Sequence, residues 1–99
     1  MPAYLIALPE EIHDPAGLQE YIQQVIPLMA QFGGRYIITS FAVTALEGDI
    51  TNVGAAVAEF PSMEQLRAFW DAPAYAPLRE LRQRSLRVRI MAADVPPPS

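Results

Sequence analysis

The chain has 99 residues, 52% hydrophobic and 18% charged, with four tyrosines, four phenylalanines, one tryptophan and a net charge of -4. That is room for one domain, too apolar for a disordered segment and too negative for a phosphate-binding surface, which argues against nucleic acid as a partner. No cysteine is present, which removes disulfides, thiolate metal sites and thiol nucleophiles, and the single histidine, His13, cannot build a histidine metal site within one subunit.

Residues 3–8 form a compact apolar run closed by Pro9, a first strand. A loop follows in which Asp14 can cap a helix that has Pro15 at its first position. Leu18, Tyr21, Ile22, Val25, Ile26 and Met29 then recur at three- and four-residue spacing, one apolar helical stripe. Pro27 lies inside that stripe and is expected to kink it or weaken its last turn, and Gly33-Gly34 ends it.

Residues 35–46, rich in β-branched and aromatic side chains, are predicted as a second strand. Glu47-Gly48-Asp49 makes a turn and residues 51–60 a third strand, ended by Pro61. Ser62-Met63-Glu64-Gln65 fits a capping box opening a second helix with Met63, Leu66, Phe69 and Trp70 on one side. Asp71-Ala72-Pro73 interrupts it, and a further helical piece from Tyr75 turns Leu78 and Leu81 inward. Residues 85–92 are the last strand. The domain is expected to span 1–94, with a stiff Pro-rich tail over 95–99.

The order βαββαβ predicts an α+β, ferredoxin-like domain: a four-stranded antiparallel sheet with both helices on one face. The other face is bare. Apolar residues on both faces of the third strand would then meet water unless a second sheet covers them, so a homodimer is expected. No run is long enough to cross a membrane, and residues 1–4 lack the basic and apolar regions of a signal peptide. A cytoplasmic location is the corresponding expectation.

Gly33-Gly34-Arg35-Tyr36, Leu46-Glu47-Gly48, Glu59-Phe60-Pro61-Ser62-Met63-Glu64 and Trp70-Asp71-Ala72-Pro73-Ala74-Tyr75 together resemble the domain-of-unknown-function family 1330. The resemblance extends from Tyr4 to about Met91. It implies the dimeric α/β barrel, two sheets enclosing a cavity, in a superfamily that includes cofactor-free monooxygenases, muconolactone-type isomerases and polyketide cyclases. Asn52-Val53 and the arginines of the last strand depart from the family pattern.

All seven cations are arginine, and Arg79, Arg82, Arg84, Arg87 and Arg89 fall in one short stretch. Strand alternation puts Leu86, Val88 and Ile90 against the helices and turns Arg87 and Arg89 toward the bare face. There they either pair with carboxylates such as Glu59 or clamp an anionic ligand. Glu59, turned away from Phe60, is a candidate general base if partly desolvated; the competing reading is an ion pair with Arg35 or Arg87. Tyr4, Tyr36, Trp70 and Tyr75 are aromatics with polar tips that either line a ligand pocket or pack in the core. His13 is placed for proton transfer at a barrel mouth, or is simply exposed.

The function these residues suggest is binding of a small apolar or aromatic anionic compound without a cofactor. Turnover would be isomerisation, cyclisation or oxygenation, with Glu59 and His13 catalytic and Tyr4, Arg35, Tyr36, Trp70, Tyr75, Arg87 and Arg89 binding the ligand. The alternative is a non-catalytic ligand-binding or structural dimer.

Overall fold

The computed structural model describes residues 1–96. Its elements are β1 (Ala3–Ile12), α1 (Pro15–Ala30), β2 (Arg35–Ser40), β3 (Ala55–Phe60), α2 (Met63–Trp70), a 3-10 turn (Pro73–Tyr75), α3 (Ala76–Ser85) and β4 (Leu86–Asp94). The strands pair in the order β2-β3-β1-β4, every neighbouring pair antiparallel. This is the expected ferredoxin-like arrangement.

The helix ends follow their local chemistry. Asp14 accepts a hydrogen bond from the Gly17 amide at 3.1 Å, and Ser62 accepts one from the Gln65 amide at 3.2 Å, each satisfying an amide left without an intrahelical partner. At the other end of α1 the backbone turns left-handed at Gly33, with φ 78°, and the Gly34 amide donates to the Met29 carbonyl. α1 runs on through Pro27 to Ala30.

Packing joins both helical stretches to one face of the sheet. Val25, Met29, Phe60, Phe69 and Tyr75 are fully buried among Ala3, Ala58, Leu66 and Leu86. Phe69 is the hub, its ring 4.7 Å from that of Tyr75 and 5.5 Å from that of Phe60. Each large side chain of this kind contributes about 1.5–3 kcal/mol by leaving water. Gly34 sits under this cluster so closely that a Cβ would overlap the ring of Phe60 and the Met29 side chain.

The structure corrects the bounds of all four strands, β4 running Leu86–Asp94 instead of 85–92 with Ser85 closing α3. β1 continues past Pro9 to Ile12, with a register shift between Pro9 and Glu11. A bulge is how a strand absorbs a residue that has no N–H for its ladder. β2 stops at Ser40 instead of reaching residue 46, and β3 starts at Ala55 instead of 51. Between them residues 41–54 form a long connection, joined to the sheet by the Val53 amide donating to the Pro9 carbonyl at 2.8 Å. Its residues have strand-forming side chains, yet strand preference is realised by packing against neighbours, and Leu46, 95% exposed, has none within the chain.

Residues 97–99 of the expected Pro-rich tail lie outside the described residues. The Val95 amide donates to the Pro2 carbonyl at 3.3 Å, so the start of that segment runs beside the N-terminus. Among the described residues, no helix is long and apolar enough to cross a membrane.

Candidate functional site

Between the sheet and the helices lies a cavity of about 150 Å³. β1 supplies Leu5, Ala7 and Pro9 to its wall, β3 Ala56, and β4 Leu86, Val88 and Ile90, all small or aliphatic. α1 adds Leu18, Ile22 and Ile26, and the segment from β2 adds Thr39 and Phe41. Ile26 and Phe41 are about half exposed, at 50% and 45%, and mark the open end. The remaining wall is three tyrosines and one arginine: Tyr21, Tyr36, Tyr75 and Arg82.

Three of those side chains, Tyr21, Tyr75 and Arg82, form one connected polar group in a mostly apolar space. The hydroxyls of Tyr21 and Tyr75 are 2.8 Å apart, and Arg82 Nε donates to the Tyr75 hydroxyl at 3.3 Å. Arg82 is 8% exposed, and among the described residues no carboxylate lies within ion-pairing distance of it. A buried guanidinium without a counter-charge is costly and uncommon, and marks where an anion would be welcome. Its central guanidinium carbon lies over the Trp70 ring, 5.7 Å from the centroid, which supplies part of the missing compensation.

Burial raises the pKa of Tyr36 to about 12 and that of Tyr21 further still, since neither phenolate can be hydrated there; the charge of Arg82 opposes both shifts. Tyr21 and Tyr36 are therefore protonated at neutral pH and able to donate hydrogen bonds.

The residues singled out in the sequence divide between two faces. Tyr36 and Tyr75 line the cavity, and Trp70 backs it, its ring 5.4 Å from that of Tyr75. Arg79 covers Trp70 and Tyr75 from outside and donates to the Trp70 carbonyl. Tyr4, Arg35, Glu59, Arg87 and Arg89 project from the opposite, bare face. There Glu59 accepts from the Tyr4 hydroxyl at 3.0 Å and from Arg35 at 3.2 Å. The hydrogen bond to Glu59, more than burial, raises the pKa of Tyr4.

Arg89 pairs with Glu10 at 2.8 Å and Arg87 with Glu11 at 3.7 Å, so the cations of β4 meet carboxylates of β1. His13 is exposed at the β1–α1 turn, 3.6 Å from Glu11. Neither Glu59 nor His13 is part of the cavity wall. Among the described residues, no group of three or more acidic or histidine side chains is gathered as a metal site would require.

Tyr21 and Arg82 were not among the expected ligand-binding residues. Tyr21 is hidden in the apolar stripe of α1, where it counts as core. Arg82 is hidden in the arginine run, yet it stands four residues after the buried Leu78 and three before the buried Ser85, on the inward side of α3. An arginine at an inward helical position was the signal available.

Comparison with known proteins places this arrangement among others of its shape. A family model described as a domain of unknown function (DUF1330) matches residues 2–95. No curated protein matches the chain. A crystal structure of a Rhodopseudomonas palustris protein of unknown function is similar at 17% identity and a TM-score of 0.77, covering 98% of this chain and 84% of that one. A dimeric ferredoxin-like protein of unknown function from a Jannaschia species has 12% identity and a TM-score of 0.77, covering 96% and 100%. SnoaB, a cofactor-independent oxygenase from Streptomyces nogalater, has 12% identity and a TM-score of 0.66, covering 98% and 94%. At these identities the likeness is one of fold.

Proposed function

The chain belongs to the DUF1330 family, and on that footing we propose that it binds, in the cavity between sheet and helices, a small apolar ring compound bearing an anionic or enolisable group. The observation that carries this is Arg82, buried in an apolar wall and, among the described residues, without a carboxylate partner. A cavity of about 150 Å³ accommodates one benzene-sized ring.

Two copies associate through the bare sheet faces. On that face Ile6 lies between Val57 and Met91, and Leu8 beside Arg89, an apolar strip rimmed by the Arg35–Glu59 and Arg89–Glu10 pairs. The ion pairs favour an interface role for Tyr4, Arg35, Glu59, Arg87 and Arg89 over ligand binding, because their charges are already matched within the chain. The dimeric Jannaschia protein of the same fold supports this reading.

Turnover, where it occurs, starts from the ligand's own negative charge, since among the described residues no carboxylate or imidazole lines the cavity to act as a base. Arg82 and the tyrosines stabilise that charge, and the apolar wall excludes water. The cofactor-independent oxygenase among the similar structures is in keeping with such chemistry. The same lack of a base favours, as the second reading, a protein that holds its ligand without transforming it.

Amide chemical shifts recorded with benzoate, in the wild type and in Ala56→Phe, test the site. Ala56→Phe fills the cavity from β3 while leaving the bare face untouched. Benzoate is expected to shift amides around Tyr21, Tyr36 and Tyr75 and to lose that effect in Ala56→Phe. Shifts confined to the surroundings of Glu59 and Arg35 would move the site to the bare face, and no shifts at all would reject it.

A further inference from the structure

We infer that the cavity takes a weakly acidic ring compound in its ionised form, as a phenolate or enolate, and so lowers the pKa of an acid bound there. This rests on the reading of the cavity as a ligand site and specifies the chemistry of the head group it accepts.

Hydrogen-bond donors and acceptors at the cavity do not balance. Tyr21 and Tyr75 bring two hydroxyl protons, and their shared 2.8 Å hydrogen bond engages one of them. Arg82 Nε donates to Tyr75, which uses acceptor capacity of that oxygen and none of its proton. One hydroxyl proton of the pair is therefore left over, as are the Nη protons of Arg82, without a carboxylate to receive them.

The elements around the cavity bring few opposing acceptors. α1 contributes Tyr21 as its titratable group, β2 Tyr36, the 3-10 turn Tyr75 and α3 Arg82. The residues of β1, β3 and β4 on the wall carry no ionisable or hydrogen-bonding side chain. The raised pKa values of Tyr21 and Tyr36 keep both protonated when the ligand arrives. Donors thus outnumber side-chain acceptors, with Thr39 the one side chain on the wall outside this group that could accept.

A ligand that must donate a hydrogen bond gains little here, whereas an oxyanion satisfies a hydroxyl proton and a guanidinium together. Charge-assisted hydrogen bonds of this kind are about twice as strong as neutral ones. A phenol or enol therefore binds by leaving its proton to solvent and entering as the anion. Arg82 Nε is already engaged with Tyr75, which leaves the Nη groups for the ligand's oxygen.

The probe is p-nitrophenol, added to the intact protein at a pH where the free dye is mostly protonated and colourless. The phenolate band is expected to rise saturably with protein, corresponding to a fall of about one pKa unit, a tenfold gain for the anion over the acid. Arg82→Met is expected to abolish the rise and Arg82→Lys to retain part of it. Tyr21→Phe leaves the charge and one free hydroxyl proton, that of Tyr75, and is expected to keep most of the rise.

Dye that binds without colour, seen as amide shifts at the cavity, would overturn this inference and leave the ligand site standing. So would a band equally strong in a folded Arg82→Met protein. Binding of neither p-nitrophenol nor benzoate would overturn both.

Discussion

Tyr21 and Tyr75, 54 positions apart in the chain, hold their hydroxyls 2.8 Å from one another in the buried layer between α1 and the 3-10 turn. Tyr75 also accepts from Arg82, so one phenol oxygen fastens three elements together. Its two partners are unequal in what they lose if it is removed.

Tyr75→Phe is expected to destabilise the fold by about 1–3 kcal/mol, because it leaves both the Tyr21 hydroxyl and Arg82 Nε buried and unpaired. Tyr21→Phe keeps the Arg82–Tyr75 contact and should cost about 1 kcal/mol. Urea unfolding of the two variants and their double mutant checks this: the double variant should lose less than the sum, since the two hydroxyls interact.

The bare sheet face is the proposed homodimer contact. Val57 lies opposite Ile6 there, and Val57→Glu adds a charge to an apolar strip that a second sheet would bury. Sedimentation equilibrium is expected to show dimer for the wild type and monomer for Val57→Glu, with the far-UV spectrum kept. Glu59→Gln, which removes an ion pair at the edge of that face, should change stability by less than about 1 kcal/mol, Arg35 being largely exposed.

Two glycines make contrasting predictions. Gly34→Ala forces a methyl group into Phe60 and Met29 and is expected to cost about 1–3 kcal/mol in thermal or denaturant unfolding. Gly48→Ala meets no neighbouring atom, so its penalty is the backbone's alone: at φ 84° an alanine costs about 1–2 kcal/mol when that conformation is held. In an exposed connection that can relax, the loss should fall at or below that range.

Alkaline stability follows from the buried phenols. The pKa of Tyr36 is raised from 10.0 to about 12 in the folded protein, so the unfolded chain releases its proton first. The contribution is complete below pH 10 and is lost as pH climbs through 10 to 12; Tyr21 acts in the same direction. Tyr36→Phe should flatten this part of the pH–stability curve. Tyrosinate absorbance followed with pH should show ionisation delayed until unfolding in the wild type.

Much of the architecture was written in local patterns. The apolar stripe of α1, the Asp14 and Ser62 caps, the Gly33 turn and the alternation of Leu86, Val88 and Ile90 with Arg87 and Arg89 each depend on residues a few positions apart, and each appears in the fold. The extents of β2 and β3 were not legible, because residues 41–54 have strand-forming side chains but no layer to pack on within one chain.

By itself, then, the sequence determined the order of elements, the helix ends and which sides of β3 and β4 meet the helices, since 3.6- and 2-residue periods are local properties. The tertiary structure alone decided which polar groups share a space. It set Glu59 with Tyr4 and Arg35 on one side of the sheet and brought Tyr36 and Tyr75 together with Tyr21 and Arg82 on the other. The physical reason is that such meetings are fixed by how a helix seats on a sheet. Periodicity shows Tyr21 and Arg82 facing inward, and only packing brings them to the same cavity.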